Sequence, residues 1–175
     1  MKELLVLARE AINCYLNGKE IKVDDDLKNK YSEKRACFVT LTERGDLRGC
    51  IGSLQAHQPL WQDVIDNAVN AGFNDPRFPE LEKEELEYIK IEISVLSKPE
   101  KLDYKDSEDL LEKIDNKMGI ILKKQSLSST FLPQVWEQIP DKELFLEELA
   151  LKAGLFRDDW KTSEILFYRV DKVKE

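Results

Sequence analysis

Leu47-Arg48-Gly49-Cys50-Ile51-Gly52-Ser53 is the stretch whose reading decides the fold. It is an apolar, β-like run in which two glycines leave the backbone bare on either side of a thiol, with a guanidinium just before them. Strands carry interior glycine where a bulge forms or where something approaches closely. Upstream, Ala36-Cys37-Phe38-Val39-Thr40-Leu41 is β-branched and aromatic and Glu43-Arg44-Gly45-Asp46 is turn-like, so residues 36–54 read as a β-hairpin. With Arg44 and Gly45 as the loop, Leu41 faces Arg48, Val39 faces Cys50 and Cys37 faces Gly52. Cys37 then lies diagonal to Cys50 on one face, too far for an unstrained disulfide, and a bulge at Gly49 would re-aim the Cys50 thiol.

Working outward, Leu4, Leu5, Ala8, Ile12, Tyr15 and Leu16 recur at helical spacing over residues 3–17, and Gly18 stands where a helix ends. Cys14 sits beside that stripe as a small packing residue. Residues 19–34 form a charged connection with one short helical turn; Asp24-Asp25-Asp26 lacks the alternating ligands of a calcium loop and reads as a solvated acidic turn. Pro59 opens a helix to Phe73 that buries Trp61, Val64, Ile65, Ala68, Val69 and Gly72. Its opposite face carries Gln62, Asp63, Asp66, Asn67 and Asn70 and reads as uniformly wet, so Asp63 and Asp66 are neighbours without the contrasting environments of an acid–base pair.

Asn74-Asp75-Pro76-Arg77-Phe78-Pro79 is a loop stiffened by two prolines that holds Asp75 and Arg77 in place. It serves either a site or a plain structural corner, with Phe78 plugging the core and Arg77 paired to an acid. Residues 88–96 alternate as a one-sided antiparallel strand. Beyond Pro99 come a short helix capped by Ser107, a hairpin of residues 118–122 and 129–132 around Lys124-Gln125-Ser126, and a helical turn after Pro133. A helix then runs from Asp141 to Gly154, Trp160 lies in a loop, and residues 165–170 make a closing strand.

Length and composition bound the function. The 175 residues suffice for one compact unit, or two small subdomains sharing an interface, and 42% hydrophobic with 35% charged residues is the balance of a soluble globular protein. The apolar runs are too short to span a bilayer, and Met1-Lys2-Glu3 leads into an amphipathic, acidic pattern unlike a signal peptide, which places the chain in the cytoplasm. A net charge of −8, from 27 basic and 35 acidic residues, weighs against nucleic-acid binding, which rests on neutralising phosphates. Cys14, Cys37 and Cys50 are odd in number and lack CxxC spacing, so they read as free thiols. The single histidine, His57, has no ligand-spaced neighbour and reads as a surface or capping residue, so no metal is expected.

Three spaced motifs, Leu47-Arg48-Gly49-Cys50-Ile51-Gly52, Asp75-Pro76-Arg77-Phe78 and Thr130-Phe131-Leu132-Pro133-Gln134-Val135-Trp136-Glu137, together with Lys152-Ala153-Gly154-Leu155, resemble the AMMECR-domain family across nearly the whole chain. The family takes its name from a human chromosomal region linked to Alport syndrome, midface hypoplasia and elliptocytosis. The resemblance implies a single α+β domain over residues 1–175, with antiparallel sheets, flanking helices and two interleaved subdomains around a cleft. It also implies a shared pathway with a Memo-type protein of the dioxygenase fold and a radical S-adenosylmethionine protein. It supplies no reaction, no cofactor and no metal role for His57.

Three functions compete at this stage. In the first, an accessory module binds a small molecule or peptide with Arg48, Gly49, Gly52, Asp75, Arg77, Phe78, Thr130 and Trp136. In the second, Cys50 is a nucleophile whose thiolate is favoured by Arg48 or Arg77, with glycine N–H groups holding an oxyanion; the missing part is a general base. In the third, the chain is an interaction scaffold in which Cys50 and the glycines serve packing.

Overall fold

The first helix, α1 (Lys2–Leu16), stops where its sequence stops it: Gly18 takes φ +61°, Lys19 N–H donates to Cys14 C=O and Gly18 N–H to Tyr15 C=O, the double closure that a left-handed glycine permits. The computed structural model describes residues 1–175. Further helices are α2 (Asp25–Lys30), α3 (Leu60–Phe73), α4 (Ser107–Lys113) and α5 (Lys142–Lys152). The strands are β1 (Cys37–Glu43), β2 (Asp46–Gly52), β3 (Ile89–Leu96), β4 (Glu100–Lys101), β5 (Gly119–Lys124), β6 (Leu127–Phe131), β7 (Glu164–Tyr168) and β8 (Val170–Lys174), forming sheets in the orders β2-β1-β3-β8 and β4-β7-β5-β6. The class is α+β, and no helix is long and apolar enough to cross a membrane. Two compact units result, Met1–Leu96 with Asp171–Glu175, and Ser97–Val170.

In the first unit, α1 and α3 cover one face of the β2-β1-β3-β8 sheet. The period-2 pattern of β1 and β3 supplies Cys37, Val39, Leu41, Ile89, Ile91, Ile93 and Val95 to a core shared with Leu4, Ala8, Ile12, Val64 and Ala68, all at 2% exposure or less. Each large aliphatic buried there contributes roughly 1.5–3 kcal/mol. The hairpin loop is Arg44-Gly45, with φ of 53° and 95°, the mirror-image turn whose twist matches two antiparallel strands.

The register differs from the regular one read from the sequence. Glu43 pairs Asp46 and Thr42 pairs Leu47, but the ladder then shifts so that Leu41 pairs Gly49, Thr40 pairs Cys50, Val39 pairs Ile51 and Phe38 pairs Gly52. Arg48, not Gly49, is the extra residue of the bulge, and beyond it every β2 side chain exchanges faces relative to an unbulged hairpin. Cys37 therefore points into the core, whereas Cys50 lies on the opposite face beside Thr40. The regular register, with both thiols on one face, is overturned; the bulge expected at Gly49 is present one residue earlier, at Arg48, and re-aims the Cys50 thiol.

The second unit packs α4 and α5 with the β4-β7-β5-β6 sheet around Leu110, Ile120, Leu122, Phe145, Leu149, Trp160 and Ile165. Three boundaries differ from the sequence reading. Asp106, not Ser107, caps α4 by accepting Asp109 N–H at 2.9 Å. Trp160 sits in a 3-10 turn, Arg157–Thr162, and is 1% exposed rather than in an open loop. The closing strand is two: β7 stays in this sheet and β8 joins the other, with Arg169 between them.

Candidate functional site

The bare backbone at Gly49 is filled by the protein itself. A Cβ there would stand 2.1 Å from the Ala71 carbonyl oxygen, so the hairpin lies directly on the C-terminal part of α3. At Gly52 a Cβ would meet the Phe38 ring at 2.3 Å; the ring of the paired residue lies across the glycine. The same device recurs in the second unit, where a Cβ on Gly119 would stand 2.2 Å from the Tyr168 ring of its paired residue.

The bulge turns Arg48 into the protein, where it is 9% exposed. Its guanidinium grips Glu85 through Nε (2.6 Å) and Nη2 (3.0 Å), and Nη1 and Nη2 also donate to the carbonyls of Pro79 and Glu80 at 3.0 and 3.3 Å. This two-pronged pair holds the Glu85 carboxyl below its usual range and ties residues 79–85 to β2.

β2 is an edge strand, and its open edge at Cys50 is plugged by the proline-stiffened loop. Asp75 Oδ2 accepts Cys50 N–H at 2.9 Å, and Arg77 Nη2 donates to Cys50 C=O at 3.2 Å, so a carboxylate and a guanidinium take the place of a neighbouring strand. Asp75, 5% exposed, also accepts Arg77 Nε and Nη2 at 2.9 and 2.7 Å and the Arg77 N–H at 3.1 Å. Hydrogen bonding to Arg77, helped by the two backbone donors, holds the Asp75 carboxyl far below the ordinary carboxylate range. The Arg77 side chain is 53% exposed, stacks on Phe78 at 5.4 Å, and has Nη1 without a protein partner. On the sheet face, Cys50 Sγ lies 3.2 Å from Thr40 Oγ1, with Phe38 and Thr42 on the same face of β1 and Ser94, Glu92 and Lys90 opposite them on β3.

Asp63 overturns the expectation of a wet helix face. It is 1% exposed and accepts Cys37 N–H (2.9 Å), Ser53 Oγ (3.0 Å), Gln58 Nε2 (3.1 Å) and Asn67 Nδ2 (3.0 Å). A buried carboxylate is tolerated when its lone pairs are satisfied, and here it fastens the start of β1 and the 53–58 loop to α3. Burial, with Asp63 close by, pushes the Cys37 thiol far above its ordinary value. His57 leans toward this carboxylate, Nε2 to Oδ1 4.0 Å, with Nδ1 3.0 Å from Gln55 C=O. No three His, Cys, Asp or Glu residues converge as a metal-binding group.

Thr130 and Trp136 belong to the second unit. Thr130 Oγ1 donates to Ile120 C=O at 2.8 Å and lies 3.2 Å from the Tyr168 hydroxyl; Trp136 stacks on Phe145 at 3.6 Å and donates to Met118 C=O at 2.9 Å. Both are fastened within their sheet and core. Sequence reasoning missed Thr40, hidden by the register shift, and Glu85, one of several glutamates between residues 80 and 87. Asp63 could have been found from the Asn67 one helical turn on, an i,i+4 hydrogen-bonding pair.

Two of the three sequence motifs thus meet at Cys50. The AMMECR1 family model matches residues 5–173. The chain belongs to the AMMECR1 family. A protein of Nanoarchaeum equitans is 42% identical over 90% of this chain and 89% of its own, and one of Aquifex aeolicus 40% identical over 96% and 88%. The crystal structure of an uncharacterised Pyrococcus horikoshii protein superposes with a TM-score of 0.79 at 36% identity, covering 99% of this chain and 90% of that one. For the Pyrococcus horikoshii protein the likeness therefore extends over the fold as well as the sequence.

Proposed function

We propose that this AMMECR1-family protein is an accessory binding module that holds a small molecule or peptide segment at Cys50. The observation that carries the reading is the division of labour at that residue. The Cys50 backbone is occupied by Asp75 and Arg77, while the thiol, the Thr40 hydroxyl and Arg77 Nη1 remain to meet a ligand. These groups donate and accept hydrogen bonds, the equipment of recognition. The thiol's partner is a hydroxyl and not a base, and His57 is turned to Asp63. The resemblance to the AMMECR-domain family adds Memo-type and radical S-adenosylmethionine proteins as the partners with which the module acts, in the cytoplasm.

A second reading, Cys50 as a nucleophile, is favoured by one observation. Arg77 Nη2 donates to the Cys50 carbonyl at 3.2 Å, which holds a guanidinium at the thiol-bearing residue.

Co-expression with a Memo-type and a radical S-adenosylmethionine protein tests the first reading. The partners should co-purify with the wild type and with Cys50→Ser, and be lost with Arg77→Gln at a temperature well below that variant's own melting point; retention with Arg77→Gln would overturn the reading. Iodoacetamide alkylation of a Cys14→Ser, Cys37→Ser chain decides the second. A Cys50 rate at pH 7 well above that of a free thiol, with substrate turnover abolished in Cys50→Ser, would replace binding with catalysis.

A further inference from the structure

Asn17-Gly18, where α1 ends, is the one Asn-Gly pair in the chain. Its chemistry is set by the second residue: glycine carries no Cβ to shield its backbone nitrogen, so that nitrogen can reach the asparagine side chain. Attack of Gly18 N on Asn17 Cγ closes a five-membered imide, and the Gly18 N–H proton and the Cγ–Nδ2 electron pair leave with Nδ2 as ammonia. Water then opens the ring at either carbonyl. Cleavage between Gly18 N and Cγ leaves aspartate, whereas cleavage between Gly18 N and the Asn17 carbonyl carbon leaves isoaspartate, its backbone lengthened through the β-carbon. Nothing is oxidised or reduced, and Asn17 is exposed to the water that the reaction consumes.

The folded chain holds the reacting atoms apart. Asn17 has ψ 8°. Ring closure needs Gly18 N eclipsed with Cβ, a turn of more than about 100°, because the tetrahedral Cα sets Cβ about 120° from the backbone nitrogen. The helix cap blocks that turn: Gly18 N–H donates to Tyr15 C=O at 3.0 Å and Lys19 N–H to Cys14 C=O at 2.9 Å, and both bonds must break before the Asn17 backbone can rotate. The attacked carbon is held as well. Asn17 Nδ2 donates to Asn13 C=O at 2.8 Å and to Asn13 Oδ1 at 3.1 Å, which draws the side-chain amide back along α1. Tyr15 packs on Phe73 of α3 with ring centroids 4.4 Å apart, so the last turn is fixed to the neighbouring helix.

We propose that Asn17 is a site of spontaneous deamidation held shut by the α1 cap, so that its modification records opening of the end of α1. Either product weakens the cap once formed. A carboxylate at residue 17 stands at the negative end of the helix dipole and gives up the Nδ2 bonds to Asn13. Isoaspartate also displaces Gly18 and Lys19 from the carbonyls they cap.

The full chain, folded or unfolded in guanidinium chloride at pH 8, is followed by peptide mass mapping for the gain of about 1 Da that replacing NH2 by OH brings. Hydrogen exchange of the Gly18 and Lys19 amides in the folded chain measures how often the cap opens. The unfolded chain should deamidate at Asn17, and the folded chain at least about tenfold more slowly, by no smaller a factor than the protection of those two amides. Asn17→Gln, which would have to close a larger ring, should leave this peptide unmodified over the same period in both states. Asn17→Asp, which carries one of the two products, should melt about 1–4 °C below the wild type. A folded chain that deamidates as fast as the unfolded one, or faster than its protected amides allow, overturns the proposal. So does an unfolded chain in which Asn17 stays intact, or an Asn17→Gln chain that gains the same mass in the same peptide. An Asn17→Asp chain as stable as the wild type overturns the effect assigned to the product.

Discussion

Replacing Gly49 with alanine separates a glycine kept for packing from one kept for a ligand. The new Cβ would start 2.1 Å from the Ala71 carbonyl oxygen and 3.1 Å from its carbon. The hairpin and α3 must part by about 1.3 Å before that contact becomes ordinary, and both sides are backbone, so no rotamer change relieves it. Overpacking of this kind costs about 3 kcal/mol, and at about 2–4 °C per kcal/mol for a chain of this length the melting temperature should fall by about 6–12 °C. The contrast is Gly52→Ala, whose Cβ would start 2.3 Å from the Phe38 ring, a side chain that can be shortened, and 2.6 Å from the Cys37 carbonyl oxygen, which cannot, so Phe38→Ala should relieve the clash only in part. Differential scanning calorimetry of the two single variants, of Phe38→Ala, and of each glycine variant combined with Phe38→Ala forms two double-mutant cycles. The Gly52 cycle should show coupling of at least about 1 kcal/mol and the Gly49 cycle none. A Gly49→Ala protein melting within 2 °C of wild type would refute the account of the hairpin–helix contact.

Asp75→Asn should destabilise the chain by about 1–3 kcal/mol at pH 7, since the buried partners of the carboxylate lose a charged acceptor. Because the folded-state pKa is depressed, that stabilisation is complete above the unfolded value of about 4 and drains away as pH falls below it, so urea denaturation should show the gap between wild type and variant narrowing in acid and constant from pH 5 to 8. Cys37 is fully buried with its thiol pushed up, so a thiol reagent at pH 8 should leave it unmodified until the chain unfolds while Cys50 reacts in the folded state; a Cys50 as protected as Cys37 would contradict the bulged register. Gln125 holds φ +56° in the β5–β6 turn, and Gln125→Gly should raise stability by up to about 1 kcal/mol, a gain visible in chemical denaturation and absent if the turn relaxes in solution.

The sequence made the element types legible wherever one period dominated. The α1 stripe ending at Gly18, the alternation of β3, and the Arg44-Gly45 turn all follow from local chemistry that no tertiary contact overrides. What it hid was a difference of one residue. A bulge adds a single position between Leu41 and Thr42 on one strand and Leu47 and Gly49 on the other, and nothing in the composition distinguishes Arg48 from Gly49 as that position. Because strand side chains alternate, the bulge moves Cys50 from beside Val39 to beside Thr40, and so changes the chemistry of the thiol's neighbour from apolar to hydroxyl. Asp63 was hidden differently: helical periodicity placed it opposite the apolar stripe, but the 53–58 loop folds over that side and supplies its donors.

The motif arginines illustrate why a motif residue is not yet a site residue. Arg48 and Arg77 carry the same group at the two ends of one constellation. Arg48 is buried, and its donors close on Glu85, Pro79 and Glu80, so its charge is cancelled and its geometry fixed by residues of the same unit. Arg77 is cancelled by Asp75 as well, yet its side chain is half in solvent and it has the Cys50 backbone in its grip. A ligand that engages Nη1 therefore pulls on a group already bonded to the thiol-bearing residue, and the strain it applies is felt at the edge of β2 and not in the core. Under the proposed binding role, recognition at Arg77 and the position of the Cys50 thiol would be mechanically one event, with Arg48 fixing the bulge through Glu85, Pro79 and Glu80.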